Sequence, residues 1–553
     1  MNKSKLDTFG LVCLFSIAIT VAMTPWVSSD SLIIPKLIIL FSSGLFLIPR
    51  ILWGSTNLLK VPITKLVVLI STLIFIYSFI IFVVSSAPFE QQFFGRTGRG
   101  LGIATELSLI IFMLSACAFV KMSNLSKLLI TLIISVFISS FYSILQRFGL
   151  DIFEWETRTN GIIGTLGNPN YQSSFAAMAL IPVAIYFLDK PNGKIYSFLL
   201  ISPLVAVLYI SQSTQGYLAS ALAIFVLALV YFWYKNRLAF FTSLLIGSIS
   251  GILAILGMLN KGPLSEYLYK YSVKSRGEFY RTAVSLINDN KLFGVGFDSI
   301  GDNYLKYRSL KDARGVGEFT DNMHNIYLNY ASVGGIPFAL LQGLIVIVAL
   351  TSFIKIQKKI KRFDKNITAI FCSWVCYQSQ ALISPANISM LTWNAIITGS
   401  LIGLSSVDLQ SASNINPKDE FKMQLTKPFS NFLLVIGFVI MLPLYNVDRM
   451  SLQASRTGDG LLALKAATSY PESTIRYSRI GQEFIKSNLA EQALEIGRAA
   501  AKFNPNAPSA WGLILVNNLA PREERLFAQK ELLRLDPHND EIRNLQIPNQ
   551  VTP

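Results

Sequence analysis

The sequence predicts an all-α fold: a polytopic transmembrane helical bundle of about 12–13 spans, a large extracytoplasmic loop and a C-terminal helical-repeat domain. Three observations lead there. The chain of 553 residues is 52% hydrophobic and 14% charged, with a mean hydropathy of +0.48. Length alone would suit several soluble domains, but the apolar residues gather in runs of roughly 18–25, the length that crosses a hydrocarbon core as helix. Lys and Arg are distributed unequally between alternate loops, and a polar, mixed-charge tail follows the last apolar run.

The runs lie near 9–27, 32–52, 65–86, 102–120, 128–147, 171–188, 195–211, 215–234, 239–258, 327–354, 367–384, 389–406 and 429–446. The first, after MNKSKLD, lacks a small-residue cleavage site and reads as a retained span. With the N-terminus inside, twenty Lys and Arg fall in the inner loops, including KIQKKIKRFDK at 355–365, against four (Arg96, Arg99, Arg147, Arg158) in the short outer loops. Positive charge resists translocation. Much of the net charge of +16 is therefore topogenic, and it gives no reason to expect a nucleic-acid partner. Cys13, Cys117, Cys372 and Cys376 all lie in spans, with no His or carboxylate near the last two, so neither a disulfide framework nor a metal site is expected.

This topology gathers the polar segments on the outer side: FFGRTGRGLG (93–102), GTLGNPNYQSS (164–174), SQSTQG (211–216), the long loop 259–326 and SPANIS (384–389). The spans are nearly free of ionisable groups, Glu106 near an outer end being the main exception. A transporter or lipid-linked glycan flippase would carry such groups near mid-membrane. In the long loop, RGEFYRTAVSLI sets Arg276, Tyr280, Ala283, Val284 and Ile287 at helical spacing, with an apolar face suited to a membrane surface. Guanidinium groups such as Arg276 and Arg281 would suit phosphate, which they bind by paired hydrogen bonds; snorkelling into headgroups is the bland alternative. Gly294 and Gly296 in NKLFGVGFDSI read as a tight turn, since no strand precedes them.

His324 is one of two histidines; it stands between polar FTDNM and an apolar run. Neutral imidazole can take a proton from an attacking hydroxyl, or it can simply hydrogen-bond at the interface. Thr320 or Asp321 could cap a helix starting near Asn322. His538 lies in the tail and reads as structural. In the tail, residues 447–553, Pro471, Pro505 and Pro537 recur about 34 and 32 residues apart, with two amphipathic helices in each interval. That pattern fits tetratricopeptide repeats, with a degenerate third at 451–469. Thirteen spans put this tail outside, and twelve would put it inside.

GNPN (167–170) before a span, the polar turn STQG (213–216), SRGEFY (275–280), LFGVG (292–296) and HNIYLNYASVGG (324–335) follow one another in an order that resembles the O-antigen ligase and polymerase-related superfamily. The likeness covers roughly 60–410 and is strongest at 275–336. It divides the chain into a ligase-like transmembrane domain, 1–446, and the tail. The resemblance implies metal- and cofactor-independent, inverting transfer of a glycan from undecaprenyl diphosphate to a hydroxyl of lipid A-core, another glycan or a protein, at the outer face of a bacterial cytoplasmic membrane. It implies that His324 serves as base on the acceptor hydroxyl or orients it, and Arg276 as ligand of the leaving diphosphate, with Tyr280, Asp321, Asn325, Asn168 and Asn170 in support. Many members carry an arginine in the short turn where this chain has Gln215. Arg96 and Arg99 of GRTGRG, or Arg158 or Arg281, would then supply the charge. An inactive scaffold is the reading that Gln215 keeps open. The tail would suit a protein partner or a polymeric acceptor on a concave face.

Overall fold

In the computed structural model, which describes residues 7–54, 58–153, 155, 161–314, 319–406 and 417–548, every one of the thirteen apolar runs is a helix. The first half comprises α1 (Thr8–Val21), α2 (Ile33–Gly54), α3 (Pro62–Val84), the short α4 (Phe89–Phe94), α5 (Ile103–Phe119), α6 (Leu125–Arg147), α7 (Pro169–Tyr186), α8 (Gly193–Ile210), α9 (Thr214–Lys235) and α10 (Arg237–Met258). The long loop folds into α11 (Ser265–Leu268), α12 (Tyr271–Asp289), α13 (Ile300–Tyr307) and α14 (Leu310–Ala313). Then come α15 (Ile326–Ile360), α16 (Lys365–Ala381), α17 (Ile388–Ser406) and α18 (Pro417–Thr457). Among the described residues nine helices are long and apolar enough to cross a membrane, and α1 and α5 are shorter apolar helices. This fits a polytopic helical membrane protein. The two remaining runs also miss that standard: α7 is diluted by Asn170 and Gln172 at its start, and α16 is 17 residues long.

Packing separates central helices from peripheral ones. The spanning window of α17 is 94% buried, whereas that of α10 is 0% buried. Gly399 and Gly403, one turn apart on α17, explain the close approach to α5: an added Cβ would stand 2.0 Å from the Met113 carbonyl and 2.4 Å from that of Cys117. Small residues four apart let helix backbones meet where lipid supplies no hydrophobic drive.

The polar loops converge at one end. The Asn387 side chain donates to the Leu166 carbonyl (3.1 Å), and Ser213 Oγ donates to Asn170 Oδ1 (2.7 Å). Lys36, inside α2 and 1% exposed, donates to the Thr165 carbonyl and to Ser389 Oγ (3.2 Å). The tail leaves α18 at this same end. Its helices are α19 (Gly460–Thr468), α20 (Thr474–Lys486), α21 (Ala490–Phe503), α22 (Pro508–Leu515), α23 (Arg522–Leu535) and α24 (Asp540–Asn544). The α20–α21 pair is followed by the α22–α23 pair, and both enclose a core separate from that of the bundle. Asn504 Nδ2 donates to Asp302 Oδ2 (2.9 Å), Arg308 pairs with Asp536 (2.9 Å), and Thr97 and Ser473 share a hydrogen bond (2.8 Å), which seats the tail on the polar loops.

The glycine motifs interlock at a break in α15. Gly335, at φ 76°, interrupts the helix, and Pro337 two residues on has no N–H to give. The freed backbone groups are met by the LFGVG segment: Val295 N donates to the Ser332 carbonyl (2.9 Å), Gly296 N to that of Val333 (3.0 Å), and Ile336 N to that of Lys291 (2.8 Å). The expected tight turn is present, with Gly294 at φ 62° and Gly296 at φ 98°. A Cβ on Gly335 would lie 2.0 Å from the Leu292 carbonyl oxygen and would also meet the left-handed penalty. Gly335→Ala is therefore expected to cost about 3 kcal/mol or more, seen as loss of monodisperse protein on size exclusion after membrane extraction. A normal elution profile and melting temperature would refute this.

Candidate functional site

His324 sits just before α15, at φ 48°. That left-handed residue keeps the helix from running back through 322–324, so the cap is Asn325 rather than Thr320 or Asp321: Asn325 Oδ1 accepts from Tyr327 N and Leu328 N, both at 3.0 Å. The His324 ring stacks on Phe279 of α12 (centroids 5.0 Å apart, 27° between planes), and its backbone N donates to Asn322 Oδ1 (3.0 Å).

The helix expected from RGEFYRTAVSLI is α12. Its buried stripe runs Ser275, Glu278, Phe279, Thr282, Ala283, Leu286, and Val284 is 53% exposed. Arg276 and Tyr280 flank that stripe, half-buried, one turn apart. Both reach the C-terminal end of α16, where helix carbonyls lack partners. Tyr280 OH donates to the Leu382 carbonyl (2.9 Å) and more weakly to that of His324 (3.3 Å); Asn325 Nδ2 also donates to Leu382 (3.0 Å). Arg276 Nε donates to the Ile383 carbonyl (2.8 Å), and Nη1 to the carbonyl and hydroxyl of Ser272 (both 3.2 Å). Among the described residues no carboxylate forms an ion pair with Arg276, and burial pushes its pKa down.

The other guanidinium groups have carboxylate partners. Arg96 Nη1 meets Asp302 Oδ1 at 2.9 Å, both side chains under a tenth exposed. Arg99 grips Asp321 with two hydrogen bonds (3.0 and 2.8 Å), and Tyr171 OH stands at its Nη1 (3.4 Å). Arg281 pairs with Asp312 (2.5 Å), its own side chain 58% exposed. Arg158 lies outside the described residues. Burial works against the charge of Asp321, but Arg99 and Arg96 outweigh it and hold the carboxyl well below its ordinary value. For His324, burial acts first, then the positive charges of Arg276 and Arg99; with Asp321 opposing, its pKa falls to about 3, so the ring is neutral.

Asp298 and Asp302, which nothing in the sequence singles out, organise this end. Asp298 Oδ2 accepts from Arg96 N (2.7 Å) and Leu101 N (3.1 Å), bracing the GRTGRG loop. Burial and then the Asp321 charge, opposed by those two N–H groups, raise Asp298 to about 6. Asp302 holds Arg96, Gln91 (2.7 Å) and Asn504 together. An Asp-x-x-x-Asp pair after a glycine turn is the available signal, too common to interpret alone. Arg96→Gln leaves Asp302 buried and short of a charge, so a loss of about 3 kcal/mol is expected, against under about 1 kcal/mol for Arg281→Gln at the surface. Thermal melts in detergent measure both, and equal shifts would refute the distinction.

Asn168 caps α7, accepting from Asn170 N (2.8 Å). Gln215 stands in the first turn of α9, joined to α7 through Ser213 and Asn170, and its buried Oε1 has no hydrogen-bond partner among the described residues. No hydrogen bond among the described residues joins Gln215 to the His324 group. Behind that group a cavity of about 80 Å³ carries Glu106, Tyr327, Tyr330, Gln342, Gln378 and Asn394 on its walls, with Gln342 donating to Glu106.

Residues 196–343, from α8 to beyond the break in α15, match the family model described as O-Antigen ligase. No curated protein matches the chain. The matched stretch contains Arg276, Tyr280 and His324, and together with the apolar helices it supports the O-antigen ligase superfamily and, in general terms, a multi-pass membrane protein of glycosyl transfer.

Proposed function

We propose that the chain transfers a glycan from undecaprenyl diphosphate to an acceptor hydroxyl, with inversion, at the extracytoplasmic face of the bacterial cytoplasmic membrane. The observation that carries this reading is a neutral His324 beside Arg276, a cation without a carboxylate partner, inside the stretch that matches the O-antigen ligase family model. The excess of Lys and Arg at the opposite end supports the orientation.

In this mechanism the His324 imidazole accepts the proton of the acceptor hydroxyl as its oxygen bonds to the anomeric carbon. The bond from that carbon to the phosphate oxygen breaks, and the diphosphate leaves with the electron pair. Such a leaving group needs no proton but gains from fixed positive charge, which Arg276 supplies. The pKa of about 3 belongs to the protein alone. A base works best near the operating pH, and a bound diphosphate would offset the charges of Arg276 and Arg99 that, after burial, depress His324. Donor binding thus raises the pKa of the base, while burial continues to hold it below the ordinary value. Tyr280, Asn325 and Asp321 act as positioning residues, through the Leu382 carbonyl and Arg99. Arg96 and Arg281 hold loops through Asp302 and Asp312, and Gln215 offers an amide where an arginine would offer charge.

The tail, read as tetratricopeptide-like, would recruit a protein or polymeric acceptor to this end. The test is a metal-free assay of purified protein in nanodiscs with lipid-linked oligosaccharide and lipid A-core, polysaccharide and protein acceptors. Glycan on one acceptor supports the reading and names it. Failure with all three, across donors of several sugar compositions, would overturn it.

A further inference from the structure

The far end of the bundle carries a second cavity. α15, broken at Gly335, is 35 residues long and runs from beside His324 to the basic segment 355–365. There it diverges from α9 and α10, leaving a cavity of about 650 Å³. Lys235, Arg237, Lys358 and Lys361 stand around it, and no carboxylate is among its lining residues. None of the four forms an ion pair among the described residues; Arg237 instead lies over the Trp233 ring, 3.8 Å from its centroid. Four like charges at one opening repel one another unless an anion joins them. Below them the walls are apolar, from Phe240, Phe353 and Ile354. Tyr234 OH, also on the lining, donates to the Gln357 carbonyl and Oε1, both at 3.0 Å, and the buried Gln357 Nε2 donor has no partner among the described residues. α10 packs along α9 and its spanning window is otherwise unburied, so the cleft is open on that side.

We propose that this cavity binds an anionic glycerophospholipid of the leaflet at the basic end. The phosphate sits among Lys235, Arg237, Lys358 and Lys361, and an acyl chain runs along the apolar cleft between α10 and α15. Basic pockets between membrane helices suit such headgroups; Trp and Tyr favour the level where headgroups meet acyl chains, and Trp233 and Tyr234 both line the cavity. The same cations also serve orientation, and Lys358 and Lys361 meet the C-terminal dipole of α15 as Lys235 meets that of α9, but those roles require no bound lipid and give no headgroup preference. The site is independent of the transfer reaction.

The experiment uses delipidated full-length protein. Native mass spectrometry with phosphatidylglycerol or phosphatidylcholine measures retained lipid, and thermal melts with each lipid and with inorganic phosphate measure stabilisation. Phosphatidylglycerol is expected to be retained and to stabilise, phosphatidylcholine and free phosphate not. Arg237→Gln/Lys358→Gln is expected to weaken phosphatidylglycerol binding about thirtyfold, while Lys60→Gln/Lys65→Gln, basic positions away from the cavity, leaves it unchanged. Equal retention of the two lipids, equal stabilisation by phosphate, or full binding by the cavity variant would each overturn the proposal. Should that variant fail to fold, wild-type fluorescence decides: brominated phosphatidylglycerol must quench the component lost in Trp233→Phe more than brominated phosphatidylcholine does. Equal quenching refutes the site.

Discussion

His324→Ala is expected to reduce glycan transfer by about 10²–10⁴-fold while the protein elutes and melts as the wild type does. The imidazole stacks on Phe279, and among the described residues no hydrogen bond reaches its ring, so its loss removes a base more than a brace. The pH profile separates a base from a mere contact. In the protein alone the pKa lies near 3, lowered by burial first and then by Arg276 and Arg99. The rate constant kcat/KM, which reports the free enzyme, should therefore show no His324 inflection between pH 5 and 8. In the donor complex the diphosphate offsets both cations, the pKa rises, and kcat should fall on the acid side at a higher pH than kcat/KM does. Coincident profiles would remove the coupling, and transfer that survives the alanine would remove the base. Stability follows the opposite logic. The unfolded imidazole takes up a proton near its ordinary value of 6.5 and the folded one does not until about 3, so stability falls as pH drops across that window. His324→Ala should flatten that part of the curve.

Arg276→Ala is expected to lower kcat by about 10²–10³-fold, the range for removing a fixed charge-stabilising donor from a reacting centre. Arg276→Lys should recover part of this, since it keeps the charge but loses the planar fork. The competing role is that of a cap for α16, because Nε already serves the Ile383 carbonyl. A cap alone predicts a lower melting temperature in both variants with kcat per folded molecule unchanged. Single-turnover rates on the folded fraction distinguish the two, and an unchanged rate would assign Arg276 to the cap.

Several features of this site are legible in the amino-acid order alone. The pieces around SRGEFY, LFGVG and HNIYLNYASVGG are recognisable in succession, and the tight turn at LFGVG follows from its glycines. The partner of that turn does not: a backbone pairing between 291–296 and 332–336 depends on a helix break that Gly335 and Pro337 permit but do not demand. The cap expected at Thr320 or Asp321 belongs to Asn325, because the left-handed turn at His324 delays the helix by one turn. Arg96 and Arg99 read as free cations in the sequence because their partners, Asp302 and Asp321, are more than 200 residues away in the chain. Lys36 is inconspicuous inside its apolar run; only the converging loops provide its carbonyl and hydroxyl partners.

The sequence by itself determined the helices and their approximate ends, because apolar periodicity and run length are local properties that a bilayer enforces on each segment separately. It also determined the inequality of charge between the two ends. Which guanidinium groups carry a compensating carboxylate, and which does not, was decided only by the tertiary structure. Coulombic pairing acts over a few ångströms of space whatever the distance along the chain, and it is folding that brings Asp302, Asp321 and Asp312 to three arginines and leaves Arg276 with carbonyls.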